Sequence, residues 1–178
     1  MFRRAPVADT YPDMPLFRDK QDGRTLEEAA PPPPAGPQLL FDGPILASWF
    51  VLYRLAQELD RARRYGCCLS IMVAEPQLIA SERLSDTQRV AAAQAASKAA
   101  RAADLVGWLD SQRIIVVLPL TDAPSARFAA TRFRDEIWNL SRTQGNQKWQ
   151  ISLVDDLDEI GALLDQTSMD QAATHQAA

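Results

Sequence analysis

Arg101 and Asp104 stand three residues apart, at the end of an Ala-rich run and just ahead of an apolar one. At the junction of a helix and a strand, that spacing brings a guanidinium and a carboxylate close enough to act on one ligand. Arginine offers a planar fork that grips a phosphate or a base edge through two bonds, while aspartate accepts from ring and amino N–H groups. A second polar group, Asp110-Ser111-Gln112-Arg113, falls between Leu105–Leu109 and the β-branched run Ile114–Leu118. A plainer reading stands beside these. Asp104 would then cap the start of a strand, and Arg101 would be an exposed helix-end cation in a surface pair worth little.

The remaining chemistry-bearing residues are weaker candidates. His175 is the sole histidine and lies in the polar stretch Asp170–Ala178, which argues against histidine-dependent catalysis. Ser152 and the acids Asp155, Asp156 and Asp158 match no triad and no calcium loop; they read as a turn and a helix cap. Trp108, two positions ahead of the polar turn, is expected to pack, with stacking on a base as the alternative. Arg61, Arg63 and Arg64 fall at a helix C-terminus, where cations complement the macrodipole, so they read as a solvated helix end or an anion site. Cys67 and Cys68 are adjacent, poorly placed to bridge each other and too few for zinc; they imply reduced thiols and a cytoplasmic setting.

The elements that must position these groups follow from periodicity. A helix is expected from Ile45 to Tyr65, with Trp49, Leu52, Tyr53, Ala56 and Leu59 at helical spacing, Asp42 or Ser48 as cap and Gly66 as stop. Leu69–Ala74 reads as a buried strand, and Ser85-Asp86-Thr87-Gln88 as a capping box opening a helix to about Ala102. A strand, tight turn and strand occupy 105–118. A helix over Ala123–Arg142 carries Phe128, Phe133, Ile137 and Leu140, mostly on one face. Trp149–Val154 alternates as a strand, and Asp158–Gln166 is a short last helix. This order predicts an α/β fold, a layered sandwich with a central sheet of about four to five strands flanked by helices.

Bulk properties set the remaining bounds. The 178 residues suit one domain plus tails, and a net charge of −4 supplies no broad basic field for nucleic acid. Residues 1–40, which include the run Pro31–Pro34, bury too little to offset ordering entropy and read as a disordered Pro-rich arm, either a passive tether or a docking arm for a protein partner. Residues 41–168 form the expected domain and 169–178 a flexible tail. The start MFRRAPVADTYPDMP has no apolar core for a signal peptide, and the run Ile45–Tyr53 is too short to span a bilayer.

The polar turn and its surroundings resemble the signature of the GGDEF family, the diguanylate cyclases. Their text is R-x-x-D, five residues, then Gly-Gly-(Asp/Glu)-Glu-Phe running into an apolar strand that ends in proline. Here Arg101-Ala102-Ala103-Asp104 is followed by five residues and then Asp110-Ser111-Gln112-Arg113-Ile114, with Pro119 closing the strand. A second anchor agrees: Glu58–Gly66 followed by Leu69–Val73 is similar to the family's basic first helix and first strand. The resemblance covers roughly residues 41–166 and implies a cyclase-type sandwich in a cytoplasmic bacterial regulator.

What it implies for chemistry is a degenerate site. The family holds magnesium through one acid at the end of the first strand, here Glu75, and another in the signature turn, where Gln112 and Arg113 now stand. A guanidinium there opposes a dication. Asp110 and Ser111 replace the paired glycines that let the turn approach a nucleotide. Pro76–Val90 lacks the residues that hold guanine, and Gly161–Gln166 lacks a phosphate-contacting lysine. The resemblance therefore implies no cyclase activity, no cofactor and a vestigial metal position at Glu75. Through R-x-x-D it implies a receptor for cyclic di-GMP at Arg101 and Asp104, with Lys98, Arg113, Arg61 or Arg64 as further cations. The alternative is a structural, protein-binding module with no nucleotide affinity.

Overall fold

The computed structural model describes residues 40–78, 82–143 and 147–176. Ten elements follow in order: β1 (Phe41–Asp42), β2 (Ile45–Leu46), α1 (Ser48–Tyr65), β3 (Leu69–Pro76), α2 (Asp86–Ala99), β4 (Leu105–Trp108), β5 (Ile114–Pro119), α3 (Ala123–Thr143), β6 (Trp149–Val154) and α4 (Leu157–Gln176). The strands form one sheet in the order β1-β2-β4-β5-β3-β6. The expected α/β sandwich is present, with six strands rather than four or five.

Alternation along the central strands divides the core into two halves. Met72 and Ala74 of β3, with Ile114, Val116 and Leu118 of β5, meet the buried alanines of α2 and the Ala126, Ala129, Phe133 and Ile137 side of α3. Ile71 and Val73 of β3, with Ile115 and Val117 of β5, meet Val51, Leu52, Leu55 and Leu59 of α1 and Ile160 and Leu164 of α4. The sheet is thus covered on both faces. Gly107 shows how closely: a Cβ built there would lie 2.6 Å from Val51 Cβ, so α1 can rest on β4 only because that position has no side chain.

The helix ends are set locally. Ser85 and Gln88 form the expected capping box. Gly66, at φ 63°, donates to Ala62 O and stops α1. Asp122 accepts from the Ser125 N–H at 3.0 Å and opens α3, while Asp156 accepts from the N–H groups of Asp158 and Glu159 and opens α4. The Ser125 hydroxyl and N–H hold the Asp122 carboxyl below its usual pKa.

Several boundaries differ from expectation. The α1 helix begins at Ser48, because Ile45–Leu46 is a strand, antiparallel to β1 and pairing Leu46 with Gly107 of β4. Neither Asp42 nor Ser48 caps α1; the cap is Ala47, and the Ser48 hydroxyl donates instead to Leu109 O at 2.7 Å. The α2 helix ends at Ala99, three residues early, where the Arg101–Asp104 loop takes over. Phe128 leaves the core face of α3 and is 76% exposed, since at about 100° per residue it sits far around from Phe133 and Ile137. The last helix runs on to Gln176, through the segment expected as a tail. Among the described residues, no helix is long and apolar enough to cross a membrane. Of the expected Pro-rich arm, residues 1–40, all but Leu40 lie outside the described residues.

Candidate functional site

The β4–β5 hairpin carries the polar turn. Its strands pair from Leu105 opposite Val117 to Trp108 opposite Ile114, and Leu109 N–H donates to Arg113 O at 2.8 Å to close it. Asp110 organises the turn. One carboxylate oxygen accepts from the backbone N–H groups of Gln112 and Arg113, each at 2.8 Å. The other accepts from Arg113 Nε at 2.5 Å, so acid and guanidinium neutralise each other within the turn. Gln112 Oε1 accepts from Leu84 N–H at 2.9 Å and ties the hairpin to the start of α2. Ile114 is buried opposite Ala74. The charges expected to face a ligand from Asp110 and Arg113 are therefore spent on each other, although both remain about one-third exposed, and Ser111 is the most open residue of the turn.

Glu75 lies in β3 one register step beyond the Ala74–Ile114 pair, opposite Gln150 of β6, and is exposed. Among the described residues no group of three or more His, Cys, Asp or Glu side chains converges there or elsewhere. Trp108 packs: it is 2% exposed, its Nε1 donates to Asp42 O, and Arg89 covers one ring face at 4.5 Å while pairing with Asp42.

Arg101 and Asp104 are brought into one loop, but not as a pair facing outward. Asp104 Oδ2 accepts from the Arg101 backbone N–H at 2.7 Å, and Asp104 N–H donates back to Arg101 O at 3.0 Å. The Asp104 side chain is only 5% exposed and lies 4.0 Å from Arg132 Nη2 of α3. Arg132 in turn donates through Nε to Ala99 O at 2.6 Å, at the end of α2. Asp104 and Arg132 thus fasten the α2 C-terminus to α3. Sequence reasoning missed Arg132, and no local signal marks a partner so far along the chain.

The Arg101 guanidinium has no partner among the described residues and stands at the lip of a cleft of about 360 Å³. Phe41, Ile45, Leu46, Ala100 and Leu105 give that cleft an apolar wall. The other candidate cations are engaged elsewhere. Lys98 pairs with Glu136, Arg113 with Asp110, Arg61 with Glu58 and Arg64 with Asp60.

Solved structures show where this architecture recurs. The chain is similar to the GGDEF domain of DgcB from Caulobacter crescentus in complex with c-di-GMP, at 13% identity and a TM-score of 0.58, covering 81% of this chain and 94% of that one. It is similar to a diguanylate cyclase protein from Thermotoga maritima, at 15% identity and 0.55, covering 69% and 95%. It is also similar to the diguanylate cyclase SiaD of Pseudomonas aeruginosa, solved with its activator SiaC, at 19% identity and 0.55 over 73% of this chain. This chain spans 56% of SiaD's length. No family model matches the sequence, and no curated protein does. The chain has the fold of the GGDEF, or diguanylate cyclase, domains.

Proposed function

We propose that this chain is a GGDEF-fold signalling domain that has lost cyclase chemistry and acts through contacts with protein partners. The observation that carries this reading is the closed circuit of the turn. Asp110 binds the turn's own N–H groups and Arg113, and Gln112 is tied to Leu84, so the turn spends its polar groups on itself. Nucleotidyl transfer from GTP requires triphosphate charge to be neutralised, ordinarily by magnesium on carboxylate oxygens. Glu75 supplies one such carboxylate, and the turn offers an amide and a paired guanidinium beside it. The residues present do not fit a magnesium site. That SiaD is solved in complex with an activator protein supports protein contact as a mode open to this fold.

The test is incubation of the full chain with GTP and magnesium, followed by chromatography of the nucleotides. Unchanged GTP is the expected result; accumulation of cyclic di-GMP would overturn the reading. One specific observation favours a second reading, a cyclic di-GMP receptor: the unpaired Arg101 guanidinium at the mouth of its cleft. Arg101 would then act without Asp104, whose carboxylate is committed to the loop.

A further inference from the structure

We propose that the outer face of α3 is a self-association surface, on which a second copy of this chain packs antiparallel about a two-fold axis. The face is aromatic where a monomer's surface is ordinarily polar. Phe128 is 76% and Trp138 62% exposed, although each belongs to a helix whose opposite side is fully occupied by the core. Between them on the same stripe lie Thr131 and Asp135, both exposed. Positions 128, 131, 135 and 138 follow the alternating three- and four-residue spacing of a helix–helix seam.

That seam is its own complement. In an antiparallel pair centred between Thr131 and Asp135, Phe128 of each copy meets Trp138 of the other, and Thr131 meets Asp135. A two-fold interface demands this reciprocity, since one patch must serve both partners. The charges follow the same symmetry. Arg134 flanks the seam, and neither Arg134 nor Asp135 has a side-chain partner among the described residues. In the pair, Arg134 of one copy lies about one turn from Asp135 of the other, within reach of an arginine side chain, and the bond forms twice. A membrane surface would be met by the two rings but would leave Asp135 facing anionic headgroups, so the acid favours protein over lipid. Four rings bring on the order of 600 Å² to the contact, the small end for protein interfaces, so the dimer is a weak one. This inference does not depend on how the hairpin treats nucleotides.

Sedimentation equilibrium of the full chain between roughly 1 and 200 µM tests it, a range spanning weak association. The expected result is reversible dimer formation in the upper part of that range. Trp138→Ser should weaken it at least tenfold, and Asp135→Arg should abolish it by facing arginine with arginine. The swap Arg134→Asp with Asp135→Arg should restore it, because the pairing is re-formed with its ends exchanged. All three positions are exposed, and circular dichroism will show that the fold is retained. A chain that stays monomeric throughout, whether or not it binds anionic vesicles, overturns the proposal. So does a dimer indifferent to Trp138→Ser and Asp135→Arg.

Discussion

Two acids of similar sequence surroundings meet opposite fates from their arginines. Asp110 and Arg113 sit three apart in the hairpin turn and bond side chain to side chain. Asp104 and Arg101 sit three apart at the end of α2, and there the acid bonds the arginine's backbone while the guanidinium is left in solvent. The turn is closed on itself; the loop is closed on one side only. Spacing alone therefore does not decide whether an arginine and an aspartate make one site. The direction of the intervening backbone does, and at Asp104 it points the carboxylate toward Arg132 of α3.

The largest effect is expected at the platform both regions share. Gly107→Ala places a Cβ against Val51 within β4, and overpacking of this kind costs roughly 1–3 kcal/mol. Chemical denaturation should show the midpoint falling with the slope unchanged. Next comes the contrast within the loop. Asp104→Ala removes the buried carboxylate that accepts from the Arg101 N–H and faces the part-exposed Arg132, costing about 2 kcal/mol, most of it from the lost charged hydrogen bond. Arg101→Ala should change stability by less than about 0.5 kcal/mol, as for other exposed positions. Equal losses from the two would break the distinction drawn between them.

Asp110→Ala is a smaller perturbation. It frees two turn N–H groups that can reach water, and the ion pair is about one-third exposed, so roughly 1 kcal/mol is the expected loss. The smallest effect is at Asp122, exposed at the start of α3, whose folded pKa lies below its unfolded one. Its contribution is complete above the unfolded value and fades as pH falls through the folded value. Asp122→Asn should flatten that part of the acid limb in a stability–pH profile and leave neutral pH almost unchanged.

Local signals were legible in the sequence and distant ones were not. The Ser85–Gln88 capping box and the Gly66 stop need only a few neighbouring residues, and both are where the pattern puts them. The 105–119 hairpin was readable from β-branched runs around a polar turn. The strands β1 and β2 were missed because two-residue strands have no period, although Gly43-Pro44, the loop that joins them, is a turn signal. Phe128 was assigned to the core by its chemistry, whereas its angle on the helix places it outside. Within the site, residue types at Asp110–Ile114 were readable, but the Asp110–Arg113 bond depends on turn geometry. The Asp104–Arg132 contact joins α2 to α3 across the fold, which no window of sequence contains.

Titration calorimetry of the full chain with cyclic di-GMP bears most directly on the claim that these polar groups serve the fold and not a nucleotide. No binding heat at high ligand concentration, for the wild type and for Arg101→Ala alike, is the predicted outcome. Micromolar binding that disappears in both Arg101→Ala and a folded Asp104→Asn would contradict it, since the buried carboxylate would then have to turn outward to reach the ligand.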